Sequence, residues 1–448
     1  MAIDIQSINF GDTGKYLPTP VDAYTFEDAL YKLLEERDFW QAGRRYLGPL
    51  PSGDEYLAGI ALLRKSFAPV LKLRECLNRH VRGVINREPN FGNLLDSKEL
   101  AKAADEIQGN VWDERGEHKI AKATCRRLVA TETAFLRFDV PAGYIKTFKV
   151  VVDGAEKTYT GIDERDWKKA YALTHMELCP RDTAAVVTDP ETMRDIAFFA
   201  YDEPVPGDSE KRRNCVQIST VEADGLTLVR VVRSDNSEPE EWKVDTGGFP
   251  LVLKAETASI VTPDLLQLQD LACGIGTMVK INADVAGFPQ VDLIDMEKVT
   301  RTEPDPNRPG ETREVPEAMP SGPRTMRGHY SFAEEDEDGA PKEDKDGKPI
   351  VRRGQIQYRE PVSSQPLRDD IEFFNTEIYR GFNQGHIATR RSANSSAELL
   401  VAERADYADS LLETKPDMER LLRNVFKARL CMAAYLAQDT NVLAQFKA

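Results

Sequence analysis

Six cysteines and five histidines carry the widest chemical scope in this 448-residue chain. Cys76, Cys125, Cys179, Cys215, Cys273 and Cys431 are scattered, with no two within thirty residues of each other. No Cys-x-x-Cys pair is therefore available to hold zinc or to cycle a disulfide. Isolated thiols of this kind suit buried cysteines in a reducing compartment. His80, His118, His175, His329 and His386 share no ligand-like spacing and read as surface or packing residues. Walker-type loops, Gly-x-Ser-x-Gly elbows and His-Glu-x-x-His motifs are all missing. Gly274-Ile275-Gly276 sits inside a helical pattern and lacks the lysine spacing of a phosphate loop. Carboxylates number 75, too many to single out a catalytic pair. The chain therefore reads as a non-enzyme with no catalytic residues, no cofactor and no metal.

Two polar segments are worth weighing. The run Glu334-Glu335-Asp336-Glu337-Asp338-Gly339 opens an acidic loop that reaches Lys348. Asp336, Asp338 and Gly339, or Asp344, Asp346 and Gly347, mimic part of a calcium loop, but the glutamate at the twelfth place is missing. A solvated hairpin tip is the better reading. The second segment, His386 to Ser395, carries Arg390 and Arg391.

The elements that would position these segments follow from periodicity. Residues 1–110 read as mainly helical. Phe26, Ala29, Leu30, Leu33 and Leu34 share a face over Thr25 to Arg37, and a second helix runs from about Asp54 to Arg87 with a break at Pro69. Residues 117–143 read as a helix leading into a strand. The period then changes to two: hairpins are predicted around Asp153-Gly154 and Asp224-Gly225, with further strands at Ile196 to Tyr201 and Glu240 to Val244.

At Thr262-Pro263-Asp264 an N-cap, a first-turn proline and a dipole-matched carboxylate open a long helix to about Asp284. Leu268, Leu271, Ile275 and Met278 lie on its apolar stripe, and Gly274 and Gly276 would allow a neighbouring helix to come close. Six prolines between 304 and 323 argue against a regular element there. Met326 to Phe332 and Ile350 to Tyr358 are candidate paired strands. A second long helix, with Leu367, Ile371, Phe374, Ile378 and Phe382 on one face, runs from Gln365 to near Gly385. Ser395 and Glu398 suggest a capping box, followed by helices at 396–413 and 415–437. The expected fold class is α+β with an antiparallel sheet.

Hydrophobic content of 41% and charged content of 30% are ordinary for a soluble protein. A net charge of -16 argues against a protein that grips nucleic acid, since binding relies on Lys and Arg displacing counterions. It leaves room for one that DNA merely passes. The start lacks the succession of a signal peptide, and no apolar run reaches membrane-spanning length. The expectation is a soluble protein made in a cytoplasm.

Several stretches resemble the portal proteins of tailed bacteriophages. They are Arg44-Arg45-Tyr46-Leu47 with Asp54-Glu55-Tyr56, Leu136-Arg137-Phe138-Asp139-Val140-Pro141, Phe249-Pro250-Leu251-Val252 ahead of Thr262-Pro263-Asp264-Leu265-Leu266, and Phe288-Pro289. The order of elements carries the resemblance further than any one motif, and it covers the chain from about residue 40 to the end. It implies a portal-like fold: an N-terminal helical and α+β wing (1–262), a first stem helix (263–288), a clip-like insertion with the acidic loop (289–364), a second stem helix with a tunnel loop (365–395), and a helical crown (396–448).

Leu268, Leu271, Ile275, Met278, Ile371, Phe374 and Ile378 would then be stem-packing residues, and His386, Arg390 and Arg391 would face DNA from the tunnel loop, the two arginines in transient contact with phosphates or else in an intersubunit ion pair or a solvated turn. The resemblance further implies a homo-oligomeric ring, usually a dodecamer, at one capsid vertex of the virion. Double-stranded DNA would pass through it during genome packaging and ejection. Its partners would be the terminase large subunit, the tail adaptor and the major capsid protein, with no membrane. It would be assembled in the host cytoplasm. The rival readings are another head-tail structural protein, such as an adaptor or minor capsid protein, and an α+β hydrolase.

Overall fold

Helices and antiparallel strands make this an α+β protein. The computed structural model describes residues 3–18, 68, 70, 72–85, 89, 91–93, 95–152, 155–163, 165–180, 182–205, 208–258, 260–286, 291–294, 300–304, 312–316, 331–334, 340–353, 355–358, 363–389 and 397–448. The predicted helix at Thr25 to Arg37 lies outside these residues. So do Arg44 to Leu47, Asp54 to Tyr56, Phe288-Pro289, Asp336 to Gly339, Ser395, and both Arg390 and Arg391. The chain divides into two compact units. The first comprises Met1–Ala42, Leu71–Gln269 and Asn375–Ala448; the second comprises Gly43–Val70 and Asp270–Phe374.

The first unit opens with a short helix α1 (Phe10–Thr13). Helices α2 (Lys72–Val84), α3 (Lys98–Glu114) and α4 (Glu117–Thr131) follow. Next come β1 (Thr133–Asp139), the hairpin β2 (Lys146–Val152) and β3 (Ala155–Gly161), helix α5 (Trp167–Leu173) and β4 (His175–Leu178). Strands β5 (Ala184–Thr188), β6 (Asp195–Val205), β7 (Asp208–Val221), β8 (Thr227–Arg233) and β9 (Glu240–Val244) form an antiparallel meander in that order. Strand β10 (Val252–Glu256) returns to β1, giving a second sheet in the order β10-β1-β4. The predicted turn at Asp224-Gly225 is present: Gly225 takes φ +79° and the Asp224 carboxylate accepts the Leu226 amide at 3.0 Å.

Long helix α6 (Pro263–Ala286) starts where the cap residues place it, with the Thr262 hydroxyl accepting the Leu265 amide. Strands β11 (Val291–Ile294), β12 (Thr300–Pro304), β13 (Thr312–Pro316), β14 (Ser331–Ala333), β15 (Val351–Arg353) and β16 (Gln355–Tyr358) follow, then helices α7 (Gln365–Gly381), α8 (Gly385–Thr389), α9 (Ala397–Leu436) and α10 (Thr440–Lys447).

Three expectations need correction here. The proline-rich stretch contains a regular element, because β12 pairs with β13 and their Pro304 and Pro316 stand at the strand ends, where a missing donor costs least. Of the strands predicted at Met326 to Phe332 and Ile350 to Tyr358, β14 pairs with β15 as expected, but β16 pairs with β11; residues 326–330 lie outside the described residues. The two predicted C-terminal helices are one, α9, with Pro416 inside it. Pro416 leaves the Leu412 carbonyl without a helical donor, and Leu412 is exposed, so water can take that bond.

The main core gathers α2, α4, β1, β10 and α9. Its side chains include Leu77, Leu128, Leu136, Phe138, Val425 and Cys431, all essentially buried. The last turns of α9, from Ala428 to Leu436, are apolar on nearly every side, as a helix through a core must be. They nevertheless carry Arg429, which is fully buried. Its guanidinium donates to Glu117 Oε2 at 2.9 Å and to Thr174 Oγ1 at 2.9 Å, and lies 4.7 Å from the Tyr171 ring centre. Arg429 thereby ties α9 to α4 and to the end of α5. A second, smaller core lies under the five-stranded sheet, where Ile5, Ile8 and Tyr16 cover Phe198 and Ile218.

Replacing Arg429 with Met strands the Glu117 carboxylate and should cost about 3–5 kcal/mol in urea denaturation, whereas Arg429→Met combined with Glu117→Leu should recover most of it. A single variant with a wild-type midpoint would show that the pair is dispensable.

Candidate functional site

The segment that the sequence singles out, the two long helices and the turn after the second, is rooted on α2. An isolated helix leaves its first amides and last carbonyls unsatisfied. The Leu73 amide in the first turn of α2 donates instead to Gln269 Oε1 of α6 at 2.7 Å. Beyond the end of α7, Gln384 donates from Nε2 to the Cys76 carbonyl at 2.8 Å and accepts from Arg79 at 3.2 Å. Leu265 of α6 lies against Gly381 of α7 so closely that a Cβ there would overlap it.

Between these contacts sits a charged cluster. Lys72 donates to Glu75 at 2.7 Å and to the Tyr379 hydroxyl at 2.9 Å, and Arg79 donates to Glu75 at 3.0 Å. Burial alone would raise the Glu75 carboxyl, but the bonds and charges of Lys72, Tyr379 and Arg79 hold it below its ordinary range. Both cations also face the Tyr379 ring, at 4.9 and 5.9 Å.

The loop predicted after α7 is in part helical: Gly385–Thr389 form a turn before the chain leaves the described residues. His386 lies 5.5 Å from the Tyr407 ring of α9. The Tyr407 hydroxyl donates to the Arg79 carbonyl at 3.1 Å, and His80, fully buried, lies 3.2 Å from the Thr414 hydroxyl. The turn is therefore held between α2 and α9.

Of the predicted helix-packing residues, Ile378 is buried and Leu268, Ile275, Ile371 and Phe374 are partly buried. Leu271 and Met278 are exposed, at 37% and 48%. The buried side of α6 is made instead by Ala272, Cys273, Gly276 and Thr277. An added Cβ at Gly276 would meet Val70 Cγ2 at 2.9 Å, and Thr277 Oγ1 accepts the Ala68 amide at 3.1 Å. Among the described residues, Ala68 and Val70 make the close approach at Gly276.

The nearest thing to an acid-base cluster went unnoticed in the sequence, because its members come from three strands. Asp139 accepts from Arg137 at 2.6 Å, from Gln217 at 3.1 Å and from its neighbour's amide at 2.7 Å. Arg137 also donates to Glu177 at 2.6 Å, and His175 stands opposite Asp139 on β4. Burial lowers the His175 imidazole. All six cysteines are buried, and burial pushes Cys76, Cys125, Cys179 and Cys431 up to about 12, so these four are not thiolates near neutral pH. Among the described residues no group of three or more His, Cys, Asp or Glu is placed to hold a metal. Asp344 spends its carboxylate on the Asp346 and Lys348 amides, which is the hydrogen bonding of a tight turn.

No protein-family model matches this chain, and no curated protein matches its sequence.

Burial lowers the His80 imidazole to about 4, against about 6.5 in an unfolded chain. Below pH 6.5 the unfolded chain takes up a proton that the folded one refuses. The stability due to neutral His80 is therefore complete above 6.5 and falls towards pH 4, by about 1.4 kcal/mol per pH unit. His80→Gln should flatten the dependence of melting temperature on pH between 6.5 and 4.5. Parallel curves for the two proteins would assign that dependence elsewhere.

Proposed function

We propose that this chain is the ring-forming portal subunit of a tailed bacteriophage, a structural channel component and not an enzyme. The observation that carries the reading is the order of elements. A 24-residue helix and a 17-residue helix bracket an insertion built of short antiparallel strand pairs, and a short helical turn and a 40-residue helix follow. In a portal these become stem, clip, stem, tunnel loop and crown, with the preceding α+β region as the wing. The division into compact units falls inside both bracketing helices, after Gln269 and after Phe374.

Two physical features support it. Leu271 and Met278 are seven residues apart on one face of α6 and are exposed in the single chain, as residues awaiting an identical neighbour would be. A subunit with net charge -16 would let a duplex slide instead of holding it. The ring would take DNA from the terminase during packaging and present the clip to the tail adaptor afterwards.

Purified protein, alone or co-expressed with its neighbouring structural genes, should form closed rings by negative-stain microscopy and mass photometry. Only monomers and dimers at micromolar concentration under both conditions would sink the proposal. Leu271→Glu with Met278→Glu should abolish rings while changing the stability of the single chain by only about 0.5 kcal/mol, as exposed positions allow.

Arg390 and Arg391, in the tunnel loop on this reading, should be dispensable for ring assembly. Their replacement by Ala should lower the amount of DNA packaged or retained. Normal packaging by that double variant would remove them as phosphate contacts.

A further inference from the structure

We propose that the cleft between β5 and β10 binds an extended peptide segment carrying a carboxylate, taken up by strand addition. The proposal does not rest on the ring reading. The cleft has a volume of about 630 Å³, within the usual range of ligand sites. Val186 and Thr188 of β5 line it on one side and β10 on another, with Arg420, Leu421 and Asn424 of α9 completing the wall.

Both strands are sheet edges among the described residues: β5 ends the five-stranded sheet and β10 ends the three-stranded one. Ala184 and Val252 belong to one buried cluster, and the two strands are in contact. Which backbone groups are left over follows from the register. Phe138 donates to the Leu251 carbonyl and Thr257 to the Glu132 carbonyl, both at 3.0 Å. Bonded residues alternate along an antiparallel ladder, so Val252, Lys254 and Glu256 turn their N–H and C=O groups away from β1. By the same argument the Ala200 amide on the Thr183 carbonyl, at 2.7 Å, leaves Val186 and Thr188 facing away from β6. All five of these residues line the cleft. Two rows of outward donors and acceptors therefore face one space, which is the template that an added strand requires.

The charges select the occupant. Lys254 pairs with Glu256, Arg420 with Asp417 at 2.8 Å, and Asp195 accepts from Thr188 at 2.8 Å. Arg194 also lines the cleft and has no ion-pair partner among the described residues, so the site has one uncommitted cation. Met193 beside it is held at φ +56° and is 74% exposed. A non-glycine residue rarely adopts that conformation, and here it keeps an adaptable apolar side chain in contact with the cleft. A strand with alternating apolar and acidic side chains would satisfy the edges, Arg194 and Met193 together.

The probe is fluorescein-labelled Val-Asp-Val-Asp-Val, titrated with the full-length protein by fluorescence anisotropy. It should bind at least about fivefold more tightly than Val-Lys-Val-Lys-Val, a preference that Arg194→Glu abolishes without moving the melting temperature. N-methylation of the central valine amide, which removes a donor and blocks close pairing, should weaken binding about tenfold. Hydrogen exchange should slow at Val186, Thr188, Lys254 and Glu256 when the peptide binds. The proposal is overturned by no binding at millimolar peptide, by equal binding of the two peptides, by an N-methylated peptide that binds as well, or by protection confined to other residues. Rings that fail to form would leave all of these readouts intact, so the two proposals fail separately.

Discussion

A fully buried arginine constrains how the first compact unit can be assembled. Arg429 enters the core on α9, where nearly every neighbouring position is apolar. An unpaired guanidinium there would cost several kcal/mol, so only an arrangement that brings Glu117, Thr174 and Tyr171 to it is tolerable. That fixes the register of α9 against α4 and α5 at once. Apolar packing alone would penalise a slip of one turn less steeply, because most replacement residues on α9 are also apolar. The pair therefore contributes specificity more surely than it contributes stability.

The same logic of unmet polar groups positions the long helices. An amide in the first turn of α2 and a carbonyl in its second turn are bonded by Gln269 and Gln384, one from α6 and one from just beyond α7. Each glutamine is buried, so each bond has no water to replace it. Leu265 packs against Gly381 where a side chain larger than glycine's would overlap it. The starting point of α6 and the end of α7 are thus set by α2, and the turn carrying His386 inherits its place from them through Tyr407.

Local chemistry made much of this legible in the sequence, and long-range pairing hid the rest. Thr262, Pro263 and Asp264 mark the start of α6 because capping is decided within one turn. Asp224-Gly225 marks its hairpin because the turn conformation selects those residues. The pairing of β16 with β11 was not legible: their ends are about sixty residues apart and neither strand is long enough to show a pattern. The helices predicted at 396–413 and 415–437 are one, because solvent at Leu412 lets α9 carry Pro416 without a break. The apolar stripe of α6 was found, but which side it faces was not. Small and polar residues such as Gly276 and Thr277 take the buried side, where Ala68 and Val70 come close among the described residues. The cluster at Asp139 and the cleft beside β10 were invisible for one reason: each is made by strands that only the sheet order brings together.

The distribution of positive charge bears on what this protein can hold. Arg213 and Arg233 share Glu203, with Asp235 and Glu240 taking their remaining donors. Arg230 pairs with Glu241, Arg137 with Asp139 and Glu177, and Arg429 with Glu117. Five arginines of the first unit are thus spent on internal carboxylates and cannot neutralise phosphates without giving up those bonds. Affinity for a duplex scales with the number of cations free to displace counterions, so such a surface would hold DNA weakly despite 59 Lys and Arg residues. On the proposed portal reading, an acidic chain with these five arginines bonded internally suits a passage better than a clamp. It also makes an uncommitted cation such as Arg194 more informative than a surface arginine would be on a basic protein.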